Sequence, residues 1–502
     1  MGDTSREPAL SDRRLVAIAI GVWASTAACT VLAIRTSLAL AGLGSVVALL
    51  LRPRSAGSAV LISAVALGVV LGSVVAAWHV RALHGGVVPR LAARHREADL
   101  VVRLVRDPVA VASAAGSGLT LTDAAVTSVL ATGWRRADSP VLILSYDKGW
   151  LGLLPGQRVV VSGRLAPPRP GDDVAAVLDA RGPPSLIGRP PWWQRLAGRA
   201  RAALRAACHG LPADPRGLLP GLVDGDVSAV PASMQTDLRL TGLTHLEAVS
   251  GENVSVVLAV TVALAQLLGL RRRWRVGVAA TALLGFVVLA RPSPSVLRAA
   301  VMGGVVLAGL ALGRRVRPIR ALALAVTLLL GLNPFLGRSV GFVLSVCATA
   351  ALVTVAPIWT ERLAQHLPRP VAVAIAVPAA AQIACTPVLV LVFGMLTPYA
   401  IPANLLAAPA VAPATVLGVL GAALATVCRP AAVPIAWLAA VPTEAIAVVA
   451  RALAGLPGAG LRWPGGPAAA LLATVAVVAV LAVRRRRSRE SGRRDILGGW
   501  PP

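Results

Sequence analysis

The stretch TGLTHLEAVSGENVSVVLAV, residues 241–260, places ionisable side chains directly against an apolar run. They are His245, Glu247 and Glu252. A charged group at membrane depth costs about 2.5–3.5 kcal/mol on insertion scales, so such groups usually mark a pathway or a site. His245 and Glu252 are seven residues apart and would share one face of a helix. The alternative is a helix end whose polar groups remain in the wet interface.

Arg298 is a second candidate, because it follows PSPSV and lies one turn into another apolar run. Pro292 and Pro294 are typical of a helix start, and a helix N-terminus attracts anions. An arginine there strengthens a positive potential suited to phosphate. The alternative is an ion pair between Arg298 and Glu252 that ties two helices together. Further polar side chains in or beside apolar runs are Asn253, Gln266, Asn333, Gln382, Thr386 and Asn404.

Motifs of known catalytic and nucleotide-binding sites are missing from the sequence. It contains no HExxH, HxHxDH, GxSxG or GxxxxGK[ST]. The six His residues are scattered, and no pair of the five Cys residues has metal-ligand spacing. We therefore predict no catalytic residue, no metal and no cofactor, and we exclude an ATP-driven pump formed by this chain by itself.

The composition is that of a membrane protein. Of the 502 residues 56% are hydrophobic and 14% are charged, whereas soluble domains carry about 25% charged residues. Crossing a bilayer takes about 20 apolar residues, and we predict an α-helical polytopic protein with about twelve spans. These are 15–34, 36–51, 59–80, 254–270, 276–290, 295–312, 319–332, 340–358, 371–393, 401–427, 432–454 and 467–483.

The net charge of +27 invites a nucleic-acid interpretation, but the position of the charges matters more than their sum. With the N-terminus inside, most arginines between the spans fall in cytoplasmic loops, as the positive-inside rule requires. The largest groups are Arg52 and Arg54, the clusters 271–275 and 314–320, and the tail 484–502. We therefore predict a plasma-membrane protein with both termini cytoplasmic and residues 81–214 extracellular.

The polar region after the third span predicts an inserted external β domain. Short β-branched runs such as ADLVVRLVR, at 98–106, and RVVVSG, at 158–163, alternate with turn-rich stretches such as LAPPRPGDD. Such a pattern suits a small β-barrel. The predicted divisions are a three-helix segment at 1–80, the β domain at 81–190, an amphipathic helix at 191–214, the main membrane domain at 215–483 and an arginine-rich tail at 484–502.

The amphipathic helix begins PWWQRLAGRARAALRAACHGL, at residues 191–211. At 100° per residue its small and apolar side chains, from Leu196 to Leu211, share one face. The opposite face and the helix start carry Trp192, Trp193, Arg195, Arg199, Arg201 and Arg205. We predict a helix that lies on the membrane surface. The alternative is an arginine row that guides phosphates to a pore.

Four ordered stretches resemble the ComEC-type competence proteins, the membrane channels for DNA uptake. They are LLPGLVDGDVSAVP with TGLTHLEAVSGENVSVVLA, then ARPSPSVLRAAVMGG, GLNPFLGRSVGFVLSVCATAAL and QIACTPVLVLVFGMLTPYAIPANLLAAP. The resemblance covers residues 217–413 well. The three-helix start and the external domain match the family's organisation more loosely.

The resemblance implies a channel that carries single-stranded DNA across the cytoplasmic membrane, with an external domain similar to an OB-fold. It implies an external DNA-delivery protein and a cytoplasmic ATP-driven helicase-like motor as partners beside the lipid bilayer. By matching motif, the DNA-pathway residues are Asp224, His245, Ser250, Gly251, Asn253, Arg298, Gln382 and Asn404.

The chain departs from the family pattern in three places. Many members read SGLHV where this chain reads SGENV, which puts a carboxylate, Glu252, beside the implied pathway. The external region has no Cys, so a disulfide of some relatives cannot form there. Longer members carry a C-terminal metallo-β-lactamase-like domain, whose HxHxDH motif is missing here. We therefore expect a short form, with any strand degradation done by a separate nuclease.

Two other functions compete with the DNA channel. One is a transporter of a small anionic or lipid-linked solute on the same scaffold. The other is an intramembrane enzyme that uses His245 with Glu247 or Glu252, and it is the weakest of the three.

Overall fold

The computed structural model describes residues 7–31, 56–111, 118–130, 134–169, 171–247 and 249–463, with the isolated positions 39, 42 and 466. The predicted spans 36–51, apart from two positions, and 467–483 lie outside the described residues, and so does the tail 484–502. Helix α1, Glu7–Cys29, begins earlier than the predicted first span.

Helices α1 and α2, Ala56–His84, lie closely against each other because glycines face one another across the contact. A Cβ at Gly21 or at Gly68 would overlap a backbone carbonyl of the opposite helix. Small residues of this kind allow membrane helices to approach closely. The short helix α3, Val87–Ala93, then leads into the β domain.

The β domain is a closed five-stranded barrel. Its ring runs β1–β3–β4–β6–β5 and back to β1, with β4 and β6 parallel and the other ring pairs antiparallel; β2 pairs with β3, and β7 with β5. The strands are β1 Glu97–Leu104, β2 Val109–Val111, β3 Leu119–Leu130, β4 Trp134–Ser145, β5 Arg158–Ala166, β6 Ala176–Ala180 and β7 Ser185–Ile187.

The barrel has its own hydrophobic core, built from the alternate inward residues of its strands. On β3, buried and partly exposed residues alternate from Leu119 to Thr127, the period of two expected of a strand with one face inside. Trp150, in the 3₁₀ turn Lys148–Gly152, is completely buried in this core, and Val88 and Ala92 of α3 join it.

The remaining described residues are mainly helical. The helices are α4 Trp192–Cys208, α5 Ala213–Asp224, α6 Ala232–Leu240, α7 Gly251–Leu267, α8 Arg272–Ala290, α9 Pro294–Ala311, α10 Pro318–Leu332, α11 Val340–Thr354, α12 Ala356–Leu363, α13 Arg369–Phe393, α14 Ala400–Val427 and α15 Arg429–Ala454. Strands β8, Met395–Leu396, and β9, Leu461–Arg462, form a small antiparallel ladder.

Among the described residues, six helices are long and apolar enough to cross a membrane. They are Ala59–His84 within α2 and the whole of α8, α9, α13, α14 and α15. The pair α11 and α12, bent by 42°, makes a seventh if it is one span. Helices α7 and α10 are apolar but have 17 and 15 residues. The protein is therefore a helical membrane protein with a small β domain, and six or seven of the twelve predicted spans meet these criteria.

Candidate functional site

The polar segment before α7 carries two accessible ionisable side chains. His245 lies in the 3₁₀ turn Thr244–Leu246, and both His245 and Glu252 are exposed. Desolvation by the surrounding protein lowers the pKa of the His245 imidazole, against a hydrogen bond with the Gly242 backbone that raises it. His245, one of the predicted pathway residues, is therefore accessible at the start of this segment.

Arg298 lies one turn into α9, whose start is fixed by Pro294 and by the Ser293 cap. Its side chain is almost completely buried, with the residue 6% exposed. Nε donates a hydrogen bond to Ser345 Oγ at 2.8 Å, and Nη1 lies 3.2 Å from Met302 Sδ. Within the described part of the chain Arg298 forms no ion pair. The alternative pairing with Glu252 is therefore not present.

The guanidinium of Arg298 lies against the first residue of α7. A Cβ added to Gly251 would be 2.7 Å from Arg298 Nη2, so this contact depends on glycine. Ser250 caps the helix, accepting a hydrogen bond from the Asn253 amide at 3.3 Å. Nη2 itself has no hydrogen-bond partner among the described residues. Since a helix N-terminus and a guanidinium are both positive, their meeting defines a place for an anion. We call Ser250, Gly251 and Arg298 the Arg298 site.

Gln382 and Asn404 bond to residues that contact Gly242, just before the His245 turn. Gln382 Nε2 donates to Thr397 Oγ1 at 3.3 Å, and Asn404 Nδ2 donates to the Ala400 carbonyl of its own helix at 2.8 Å. Gly242, with φ +69°, is in contact with both Thr397 and Ala400; a Cβ there would be 2.7 Å from Ala400 Cβ. The structure thus brings the starts of α14 and of the His245 turn together.

Asn253 is buried between helices. It is 1% exposed, its Nδ2 donates to the Leu222 carbonyl at 2.8 Å, and its Oδ1 accepts from Thr415 Oγ1 at 3.4 Å. One amide side chain thereby ties α5, α7 and α14 together. Asn253 was predicted as a pathway residue, and its contacts in the structure are those of a buried tie between helices.

Asp224 is likewise buried rather than accessible. Its Oδ1 accepts from the Asp226 amide at 3.0 Å and lies 3.7 Å from Arg201 Nη1, while Oδ2 has no partner among the described residues. Desolvation raises the pKa of Asp224 to about 7, although the nearby Arg201 opposes that shift. Asp224, at the end of α5, was also predicted in the pathway; in the structure it lies beside Arg201, and its place in the pathway stays a prediction.

Asp224 belongs to a charged cluster that joins the barrel to the helices. Arg201 contacts the Asp224 carbonyl, donates to the Leu289 carbonyl at 3.1 Å and lies 3.9 Å from Asp107. Arg291 Nε donates to the same Asp107 carboxylate at 2.8 Å, and Arg291 also contacts Gln194. We call Asp107, Gln194, Arg201, Asp224 and Arg291 the ionic junction.

The predicted amphipathic helix forms as α4, but protein covers most of its apolar face. Leu204 and Ala207 pack into a cluster with residues of α14 and α15. Leu196 was predicted on that face and is exposed, because the covering helices do not reach the first turns of α4. Beside Arg201, Arg205 is paired too, lying 2.5 Å from Asp226. The position of α4 at a membrane surface stays a prediction.

Several residues of these sites carried no sequence signal that we used. Ser345 lies within an apolar run, and Thr415 in another, so neither stands out until its partner is known. Asp226 could have been found, since it forms the sequence DGD with Asp224. In the described part of the chain, no group of three or more His, Cys, Asp or Glu side chains could hold a metal ion.

Membrane helices around a buried, unpaired arginine, with a small barrel attached, define a polytopic membrane protein with a polar site. The family model described as Competence protein matches residues 222–488, more than half of the chain, and the chain belongs to this family, the ComEC-type proteins. Membership in this family and the six apolar helices indicate a protein of the cell membrane.

A curated relative is ComE operon protein 3 of Bacillus subtilis (strain 168), which is 31% identical over 214 residues. The match covers 42% of this chain and 27% of that protein, so the chain spans about a quarter of the relative's length. No solved structure matches.

Proposed function

We propose that this protein is a channel that imports single-stranded DNA across the plasma membrane during natural transformation. The observation that carries the proposal is the Arg298 site. A buried charge without a counter-ion costs several kcal/mol, and it persists where it acts on a passing or bound ion. A phosphodiester at the Arg298 site would meet Arg298 Nη2 and the first amides of α7. The proposed pathway also includes His245, Gln382 and Asn404.

The external barrel supports the same proposal. Its five ring strands, taken in chain order, are connected 1-2-3-5-4 and back to 1, the Greek-key arrangement of an OB-fold, a fold that often binds oligonucleotides through its loops. Two loops of this barrel contact the membrane domain: Asp107 binds Arg291, and the Gly171 carbonyl accepts from Arg338 Nη1 at 3.1 Å. A strand held at these loops is close to the helices that it must cross.

The proposed topology has twelve spans, cytoplasmic termini and residues 81–214 outside. Contacts at the two ends of α10 support it. Arg317 Nη1, at the start of α10, donates to Asp12 Oδ2 of α1 at 2.7 Å. The barrel loop at Gly171 instead contacts Arg338, just beyond the other end of α10. A reporter inserted at Gly171 should read external, and one fused after residue 502 cytoplasmic; the reverse result contradicts the topology.

The proposed partners follow from what a channel needs. Another protein delivers the DNA from outside, and a separate nuclease removes the complementary strand. A cytoplasmic ATP-driven helicase-like motor draws the remaining single strand in. The lipid bilayer is the remaining partner. The competing function is transport of a small anionic or lipid-linked solute. The Arg298 site favours it in one respect, because Nη2 of this one arginine is free to bind a single anion.

The test is DNA entry in a competent host. Labelled duplex DNA is given to a deletion strain, to its complemented parent and to strains carrying Arg298→Gln or Arg315→Gln, and the nuclease-protected label in the cytoplasm is counted. We expect loss of entry in the deletion and in Arg298→Gln at equal membrane levels, and full entry in Arg315→Gln. Normal entry without the gene would contradict the channel. Normal entry with Arg298→Gln would remove the Arg298 site from the pathway.

A further inference from the structure

The four arginines of α4 fall into two pairs. Arg201 and Arg205 are held by carboxylates, as described above. Arg195 and Arg199 form no ion pair and no side-chain hydrogen bond with any described residue. The Nε of Arg195 is moreover sheltered and has no acceptor. Donors of a guanidinium that are removed from water without a partner call for an acceptor, so this pair is the one available to a ligand.

Both arginines line a groove between α4 and the barrel. Its volume is about 300 Å³, and it is lined by Gly152, Leu154, Arg195, Gly198, Arg199 and Ala202. A Cβ at Gly198 would lie 3.2 Å from the Leu154 methyl groups, so the barrel and α4 meet closely at the floor. Apart from the two guanidinium groups, the lining side chains are small or aliphatic.

The surroundings of the groove are apolar and exposed. Trp192 and Trp193, stacked edge to face with ring centroids 5.9 Å apart, are 65% and 46% exposed. Leu196, one turn on, and Leu151, in the barrel turn, are also exposed. Tryptophan prefers the level of the lipid headgroups, and arginine beside it prefers the phosphate layer.

We propose that this groove binds the phosphate headgroup of an anionic phospholipid. Arg195 and Arg199 contact the phosphate, the aliphatic floor takes the glycerol region, and Trp192, Trp193 and Leu196 enter the boundary with the acyl chains. An amphiphile fits better than a nucleic acid, because the groove has no aromatic ring inside it on which a base could stack. The inference rests on the proposed position of α4 at the membrane surface. Through Leu154, the bound lipid would also set the distance of the barrel from the bilayer.

The experiment uses the full-length protein purified in detergent and measures bound phosphatidylglycerol and phosphatidylcholine by native mass spectrometry. Two arginines near a membrane surface are worth about 1 kcal/mol each, so the Arg195→Gln/Arg199→Gln variant should bind phosphatidylglycerol about thirtyfold more weakly. Ala202→Trp, which fills the groove and keeps both charges, should also lose this lipid. The matched control is Arg135→Gln/Arg136→Gln on the barrel hairpin, which should bind like the wild type. All variants are compared after their folding is checked by melting temperature and gel filtration.

Unchanged phosphatidylglycerol binding in the arginine double variant would overturn the proposal. So would normal binding by Ala202→Trp, since the arginines would then act as general surface charge. A single-stranded oligonucleotide is tested in parallel. If the double variant loses the oligonucleotide and keeps the lipid, the groove belongs to DNA instead. Lipid binding is measured without DNA entry, so failure here is separate from failure of the channel.

Discussion

The ionic junction and the Arg298 site are two buried arginine sites in one molecule, and their partners differ. At the junction Arg201, with a side chain 12% exposed, faces two carboxylates and two backbone carbonyls. At the Arg298 site a similarly buried guanidinium has one hydroxyl and one thioether.

The difference separates two uses of a buried charge. A charge that is compensated by fixed partners holds elements together, because removing either partner leaves the other exposed to the full cost of desolvation. A buried charge without such partners costs stability, and under the proposed function Arg298 is retained for a ligand. The family resemblance placed Asp224 and Arg298 in the same group of predicted pathway residues, whereas their partners in the structure differ.

The largest effect on unfolding free energy is expected when an arginine of the ionic junction is removed. In Arg201→Met, Asp224 and Asp107 lose their shared cation, and we expect a loss of about 3–5 kcal/mol in unfolding free energy. Thermal unfolding in detergent and the amount of protein in the membrane measure it. Arg216→Met, an exposed arginine on the neighbouring helix α5, is the control and should be nearly neutral. Equal stability of both variants would show that the junction is not structural.

The pH dependence of the unfolding free energy should reveal the protonation of Asp224. Its pKa in the folded protein, about 7, lies above the ordinary value of 3.8, so between these values the folded state holds a proton that the unfolded state releases. Stability from this group is therefore complete at low pH and is lost as pH rises. The loss approaches about 1.4 kcal/mol per pH unit and levels off near pH 7, which makes about 2 kcal/mol from pH 5 to pH 7.

Asp224→Asn removes this contribution. Between pH 5 and pH 7 the wild type should therefore lose unfolding free energy relative to the variant. Melting temperatures at pH 5, 6 and 7 measure the shift. Parallel pH profiles for the two proteins would mean that Asp224 is ionised throughout.

The Arg298 site should respond in the opposite way to the junction. Arg298→Met removes an uncompensated charge, so its melting temperature should equal or exceed that of the wild type. DNA entry should fall about thirtyfold, which corresponds to about 2 kcal/mol for a lost buried contact between charges. Transformation frequency at matched protein levels is the measurement. A destabilised Arg298→Met would instead class Arg298 with the junction arginines.

The smallest effect is expected where the junction reaches the barrel. Asp107 is partly exposed, so Asp107→Asn should cost about 1 kcal/mol or less. Limited proteolysis between the barrel and α4 should nonetheless become faster, because the contact with Arg291 is weakened. Asp138→Asn, on the barrel but away from the helices, is the control. Equal cleavage rates would show that Asp107 does not hold the barrel in place.

The strands of the barrel show how far the sequence could predict the fold. The β-branched runs at 98–106 and 158–163 correspond to β1 and β5. Strands β3 and β4 are much longer than the short strand-like stretches within them, LTLT at 119–122 and VLIL at 141–144. Polar and small residues such as those of β3 beyond Asp123 are held extended by pairing with β1. Strand β6 was missed, since its short sequence AVLDA depends on a distant parallel partner, β4.

The helix break at Val355 and the partners of the polar residues mark two other limits. One span was predicted at 340–358, but Pro357 has no amide hydrogen to continue the ladder, and the chain bends there. That break was readable from the sequence. The contact of Gly251 with Arg298 was not, because the two residues lie on helices separated by α8, and only packing decides which of them meet.

Closure of the barrel by the β1–β5 pairing has a consequence for whatever approaches it. Extended chains commonly attach to exposed sheet edges through backbone hydrogen bonds. In this barrel the backbone N–H and C=O groups of the ring strands largely pair with one another. Among the described residues, β2, β7 and the part of β4 before Val141 keep a free side. A passing polypeptide therefore finds only short edges to pair with, and recognition by this domain depends mainly on side chains and loops.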